Sequence, residues 1–379
     1  MTGHPPTPGD TASDDLDTRM MRLAIEMGER GLGTTAPNPS VGAVIVDAAS
    51  GEVISVGWTQ PGGRPHAETE AIRQAGDRAR GATIYVTLEP CSHHGKTPPC
   101  AEAIIAAGLK RAVVAILDPD PRVSGRGVRM LRTAGIEVRR GLLANEAHRL
   151  TRGHILRVTE RRPLIQLKMA LDAQGRVPRG EGGRPVWVTG PEARAHGHML
   201  RAKADAILVG SGTVADDDPE LTCRLPGLAD RSPIRVVVAG SRLPSTASKL
   251  SRTARSVPVW IICATGTPEA RLAPLVEMGC RVLPVTAVDG LPWLPAICEA
   301  LVAEGITRLL VEGGPTMWRA FASAGFTDEI ICYRALEGSL GDVANAAHRD
   351  LAALSPAHSF ELVEASSIGA DGVFVFHRK

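Results

Sequence analysis

The feature that most constrains this chain is the alternation of short β-rich runs with helical stretches of about ten residues, in two successive blocks. In the first block the pattern predicts a helix from Arg19 to Glu29, strands Val41 to Val46 and Val53 to Trp58, and a helix opening near His66. It continues with a strand Thr83 to Leu88, a helix Pro99 to Ala107, a strand Ala112 to Leu117 and a helix Gly127 to Ala134. The second block predicts strands Leu164 to Lys168, Ala206 to Val209, Ile234 to Val238, Val259 to Ile262, Arg281 to Val285 and Arg308 to Val311. Helices Pro191 to Lys203, Pro268 to Met278, Leu294 to Glu304 and Thr316 to Ala324 separate several of these strands. Strands interleaved with helices of this length imply α/β layers, helices packed on a central sheet, twice over. No internal repeat relates the two blocks.

The expected organisation is a disordered tail over residues 1–17, rich in Pro, Gly, Thr, Ser and Asp, then a first domain over 18–145. A polar, basic linker over 146–162 leads to a second domain over 163–379. A chain of 379 residues has the length for two such domains. Its 43 basic and 41 acidic residues nearly cancel, so the bulk charge calls for neither nucleic acid nor a membrane surface. Aromatic residues make up 3%, too few for a platform that stacks single-stranded bases. Seven scattered cysteines suit a reducing compartment better than a disulfide framework. The N-terminal stretch has no apolar signal core, and no run approaches the roughly 20 apolar residues of a membrane span. The expectation is a cytoplasmic protein, a homo-oligomer acting on a small molecule.

One cluster carries specific chemistry. His66-Ala-Glu68 opens a helix, and Cys91 and Cys100, with eight residues between them, precede and open the next. One imidazole and two thiolates are suitable Zn²⁺ ligands, and three protein ligands leave a fourth position for water, the arrangement of a catalytic site. A helix N-terminus favours the thiolate form. Glu68 is placed to take a proton from water and return it to a leaving amine. This is the pattern of zinc deaminases, although their generic spacing has only two residues between the cysteines. A purely structural zinc site closed by a fourth ligand such as His93 is a competing reading, and a deaminase acting on tRNA or DNA is another.

The segments Pro37-Asn-Pro-Ser-Val-Gly42, Pro65-His-Ala-Glu68, Thr87-Leu-Glu-Pro-Cys91 through Cys100, and Asp118-Pro119 with Gly125-Arg-Gly127 resemble the deaminase half of the bifunctional riboflavin-biosynthesis deaminase/reductase family. That family has the longer gap between cysteines. The resemblance implies a cytidine-deaminase-like three-layer fold that converts 2,5-diamino-6-(5-phosphoribosylamino)pyrimidin-4-one to the corresponding uracil. His66, Cys91 and Cys100 would bind zinc and Glu68 would be catalytic. Asn38 would bind the heterocycle, or serve only as a turn residue before Pro39. His93, His94 and Lys96 lie on the insert between the cysteines and face either substrate or solvent.

The second half carries Trp187-Val-Thr-Gly190, Arg194, His198-Met-Leu-Arg201, Asp205 to Gly210, Thr213 to Pro219, Leu221-Thr-Cys-Arg224 and Glu312-Gly-Gly314. No G-x-G-x-x-G follows its first strand, so the common dinucleotide fingerprint is missing. These motifs are similar to the reductase half of the same family, which implies a dihydrofolate-reductase-like fold using NADPH to reduce the ribosyl group to ribityl. By that resemblance Leu171, Trp187, Thr213, Asp217, Gly313 and Gly314 are cofactor-binding. Pro185, Arg201, Leu221, Arg224 and Glu312 are substrate-binding, the arginines suiting a 5-phosphate. The chain departs from the family in three places. Leu171-Asp-Ala-Gln-Gly175 replaces a Ser-Leu-Asp-Gly run, Pro185 replaces a serine, and Cys332-Tyr-Arg-Ala-Leu-Glu337 replaces an Ala-Pro strand end. A deaminase with a degenerate reductase-like domain is the alternative these departures raise.

Overall fold

The structure, a computed structural model, describes residues 8–95, 98–177, 188–354 and 357–379, with only the backbone described for 8–13. Its contacts divide the chain into two units between Glu160 and Arg161.

The first unit runs α1 (Pro8–Glu29), β1 (Gly42–Val46), β2 (Val53–Trp58), α2 (Ala67–Ala75), β3 (Thr83–Leu88), α3 (Cys100–Ala106), β4 (Arg111–Ile116), α4 (Arg126–Thr133), β5 (Glu137–Arg140) and α5 (Ala144–Thr159). The sheet order is β2-β1-β3-β4-β5. β1 is antiparallel to both β2 and β3, while β3, β4 and β5 are parallel. The continuous apolar runs of β1 and β3 are buried throughout, as strands covered on both faces must be. One face packs Ala43, Ile45, Ile84 and Val114 against α2, α3 and α4 through Ala71, Ile104 and Leu131. The other packs Val44, Tyr85 and Val113 against α1 and α5 through Met21, Ala24 and Ala147. The result is three layers.

Two expectations are corrected here. Helix α1 begins at Pro8, so residues 8–17 are not a disordered tail. Asp17, a side chain 1% exposed, receives two hydrogen bonds from Arg111 at 2.8 and 2.7 Å and one from Tyr85 Oη at 2.6 Å. Arg139 bridges Asp14 and Asp17 at 2.7 Å each. Such pairing over 68 to 125 positions is invisible to local composition, which reads Asp, Ser and Thr as solvated chain. The segment expected as a linker is mostly helix α5, which belongs to the first unit and buries Ala147, Leu150, Thr151 and Leu156. Its i, i+3, i+4 stripe was masked by the basic residues between.

The second unit runs β6 (Leu164–Leu171), α6 (Pro191–Ala202), β7 (Ala206–Gly210), α7 (Ser211–Asp217), β8 (Ile234–Val238), α8 (Lys249–Arg252), β9 (Val259–Ala264), α9 (Glu269–Glu277) and β10 (Arg281–Val285). A small hairpin, β11 (Ala287–Val288) and β12 (Leu291–Pro292), leads to α10 (Leu294–Ala303), β13 (Arg308–Val311), α11 (Pro315–Ser323), β14 (Glu329–Ala335), α12 (Leu340–Leu354), β15 (Phe360–Ile368) and β16 (Asp371–Arg378). The nine-stranded order is β10-β9-β8-β7-β13-β6-β14-β16-β15. The strands from β10 to β14 are parallel, and β16 runs antiparallel to both β14 and β15. The chain leaves β6 for β7, steps outward to β10, and returns to place β13 between its first two strands. Such a return makes a crevice at the carboxyl ends of β7 and β13, where α/β sheets bind ligands. Among the described residues, no helix is long and apolar enough to cross a membrane.

Candidate active sites

His66 caps the N-terminus of α2, and Cys100 is the first residue of α3. Cys91 lies on the loop after β3, and its Sγ accepts the Cys100 backbone N–H at 3.2 Å. His66 Nδ1 stands 3.3 Å from Cys100 Sγ and 3.8 Å from Cys91 Sγ, and the three ligand atoms lie within 4.8 Å of one another. The Cys100 thiol, aided by the His66 ring and the Cys100 N–H, holds Cys91 well below the usual thiol range despite burial. The hydrogen bond with Cys91, together with burial, pushes Cys100 well up. A divalent cation is what lets both ionise, so the donor set fits zinc.

Glu68, 4% exposed, sits one residue into the same helix turn, and its burial raises the carboxyl to about 7. A carboxyl held there both accepts and donates a proton near neutrality. Asn38 is half-buried, and its Nδ2 donates to Gly63 O at 2.8 Å, just ahead of His66. Its own backbone N–H closes a turn onto Thr35 O, so it holds the entry loop as well as standing by the site. His93 and His94 are exposed, and His94 pairs with Glu102 at 3.5 Å. Lys96 lies outside the described residues.

Glu89, within the Thr87-Leu-Glu-Pro-Cys91 motif, has a structural part that the sequence alone does not reveal. Its buried carboxylate accepts N–H groups from Asp118 (3.3 Å), Gly125 (2.8 Å) and Val128 (3.0 Å). It thereby ties the Asp118-Pro119 and Gly125-Arg-Gly127 motifs to the Pro90-Cys91 loop. Gly127 is required there, because a Cβ would stand 2.0 Å from Pro90 O. His154 of α5 reaches Asp118 at 3.2 Å and braces the same loop.

In the second unit the structure brings Arg201 and Glu312 together. Nε and Nη2 of Arg201 donate to the two Glu312 oxygens at 2.8 Å each, and Nη1 donates to Thr222 O at 3.1 Å. Lys168, not singled out from sequence, stands 3.9 Å from Glu312. Burial works to raise the Glu312 carboxyl, but Arg201 and Lys168 outweigh it and hold it down at about 2. Leu221 is buried in a left-handed conformation, φ 57°, on the loop whose Thr222 carbonyl Arg201 holds. Arg224 on that loop is exposed and pairs with Glu220 at 3.1 Å.

Gly313 and Gly314 connect β13 to α11, Gly314 as its N-cap. A Cβ at Gly313 would stand 2.7 Å from Met317 and 3.8 Å from Gly210 N, so the ends of β7 and β13 converge there. Thr213 is half-buried on α7, which Asp217 ends as an exposed residue. Leu171 is buried at the end of β6. Helix N-termini and small residues converging at adjacent parallel strand ends offer N–H groups to a pyrophosphate, which fits a dinucleotide. Trp187 and Pro185 lie outside the described residues.

A His-Cys-Cys set with two members at helix N-termini, beside a buried carboxyl and followed by a largely parallel-sheet unit with converging helix N-termini at its strand ends, defines a zinc deaminase fused to a nucleotide-dependent domain. The cytidine and deoxycytidylate deaminase zinc-binding region matches residues 14–116, and the RibD C-terminal domain matches 163–344. A riboflavin biosynthesis protein RibD from Aquifex aeolicus is 40% identical over 319 residues, covering 84% of this chain and 86% of that protein. The solved structure of Acinetobacter baumannii RibD is similar at TM-score 0.80 and 34% identity, over 97% of this chain and 99% of that one. A diaminohydroxyphosphoribosylaminopyrimidine deaminase/5-amino-6-(5-phosphoribosylamino)uracil reductase from Thermotoga maritima is similar at TM-score 0.79 and 31% identity, over 97% and 100%. The chain belongs to the riboflavin biosynthesis protein RibD family. It is a two-activity enzyme, a deaminase joined to a reductase, with Zn²⁺ and NADPH as cofactors. Similarity running through both halves argues against a degenerate second domain.

Proposed function

We propose that the first unit deaminates 2,5-diamino-6-(5-phosphoribosylamino)pyrimidin-4-one with His66, Cys91 and Cys100 as zinc ligands and Glu68 as the proton carrier. The observation that carries this reading is the convergence of the three ligand atoms within 4.8 Å beside the buried Glu68 carboxyl. When bound, zinc supplies an activated water and NADPH supplies a hydride. Glu68 takes a proton at its carboxylate and delivers it to the exocyclic nitrogen, which departs as ammonia. Asn38 orients the ring from the loop before β1, which its side chain ties to Gly63.

The second unit then reduces the ribosyl group of 5-amino-6-(5-phosphoribosylamino)uracil to ribityl. Leu171, Thr213, Asp217, Gly313 and Gly314 hold the cofactor along the crevice, and Trp187 is a further cofactor-binding residue. Pro185, Leu221, Arg224 and Glu312 receive the substrate, Arg224 offering its fork to the phosphate. Arg201 acts on the substrate side by fixing Glu312 and Thr222. The working form is a cytoplasmic homo-oligomer.

Mass spectrometry of the product tests this reading in two stages. Without NADPH, one amino group is replaced by oxygen and the ribosyl group is intact. With NADPH, the same product gains two hydrogens. A product reduced but still diaminated would refute the proposed order.

A further inference from the structure

The turn that follows β6 and the end of β14 touch each other. β6 and β14 are adjacent parallel strands with Leu171 opposite Arg334, so the turn after β6 starts where Arg334 stands. The Arg334 side chain is 7% exposed. Its Nη2 donates to Ala173 O at 2.6 Å, and its Nη1 donates to Asp350 Oδ2 on α12. Asp350 closes the arrangement from the far side. Gly175 has φ 79°, and a Cβ there would stand 2.5 Å from Asp350 Oδ2. Within the turn, Asp172 Oδ1 accepts the N–H groups of Gln174 at 3.0 Å and Arg176 at 2.9 Å.

A buried guanidinium is costly unless it is paired and hydrogen-bonded. This one is spent on the backbone of a surface turn, and its planar fork serves two acceptors in different directions, which an ammonium does poorly. The turn continues β6 past the stretch that pairs with β13, where Leu167 stands opposite Val311, one residue before Glu312 and two before Gly313. We propose that Arg334 is a positioning residue of the reductase half. Through Ala173 O and Asp350 it fixes the 172–176 turn, and so the end of β6 at Leu171, against the cofactor crevice. This inference rests on the proposed reading of Leu171 and the crevice as the NADPH site.

The test is fluorescence titration of NADPH on the full-length, zinc-loaded protein for wild type, Arg334→Lys, Asp350→Asn and Gly175→Ala. Ammonia release and the KM for the deaminated pyrimidine are followed alongside. Each variant is expected to raise the NADPH Kd about tenfold, the first two by loosening a charge-assisted hydrogen bond and Gly175→Ala by displacing the turn from Asp350, with ammonia release and pyrimidine KM unchanged. Arg334→Lys combined with Asp350→Asn should cost no more than either alone. Gly175→Ala removes no buried charge, so it carries the test if an ion-pair variant fails to fold. Folded variants with wild-type NADPH affinity overturn the proposal, as do equal losses in NADPH and pyrimidine affinity. A wild-type protein that does not bind NADPH overturns the reading of the crevice, and this inference with it.

Discussion

Glu68 and Glu312 are both buried carboxyls, yet their surroundings drive them in opposite directions. Around Glu68 burial dominates and raises the group to about 7. Around Glu312 two cations overcome burial and lower it to about 2. The first is suited to exchanging a proton and the second to staying ionised. Replacing Glu68 with Gln keeps the ligands and removes the titrating group. Ammonia release should fall by roughly 10²–10⁴-fold, while zinc measured by atomic absorption stays at wild-type content. Zinc lost together with activity would instead give Glu68 a part in holding the metal. For Glu312 the sign follows from its depressed value. The ion pair stabilises the second unit fully above the free value of 4.5, and that stabilisation is lost as pH falls from 4.5 toward about 2. Glu312→Ala leaves a buried Arg201 uncompensated and should cost about 3–5 kcal/mol in urea unfolding at neutral pH. A loss below about 1 kcal/mol would show that water satisfies Arg201 in its place.

At the scale of elements, the Asp17 cluster decides whether α1 covers its face of the sheet. Burial opposes the charge of Asp17, but Arg111, Tyr85 and Arg139 hold its carboxyl below the free value of 3.8. Asp17→Ala should destabilise the first unit by about 2–4 kcal/mol, read from urea unfolding, without altering NADPH affinity. An unchanged unfolding midpoint would mean that Met21 and Ala24 anchor the helix alone. Strands Val53–Trp58, Thr83–Leu88, Ile234–Val238, Arg281–Val285 and Arg308–Val311 have the bounds their apolar runs suggest. Those strands are bounded by turns and polar residues, so their signal is local. β5 reads Glu-Val-Arg-Arg and β15 is largely exposed, so neither has a pattern beyond its pairing with a neighbour. α12 did carry a usable signal, Val343, Ala347 and Leu351 at a spacing of four. The His66, Cys91 and Cys100 cluster that the structure brings together was legible because the chemistry of a metal site allows few residue types. Glu89, Lys168 and the role of Arg334 were not, since each is defined by a partner far away in the chain.

At the scale of the molecule, two α/β units carry separate chemistries on separate residues. Removing zinc with a chelator should abolish ammonia release yet leave NADPH oxidation intact when the deaminated pyrimidine is supplied directly. Loss of both activities would show that the second unit depends on the metal-bound state of the first. The most direct test of the account is a paired assay of the zinc-loaded protein with the diaminopyrimidine substrate, following ammonia release and NADPH oxidation together. Ammonia release without NADPH is expected, and equal amounts of ammonia formed and NADPH oxidised when both are present. NADPH oxidised ahead of ammonia, or no ammonia at all, would contradict it.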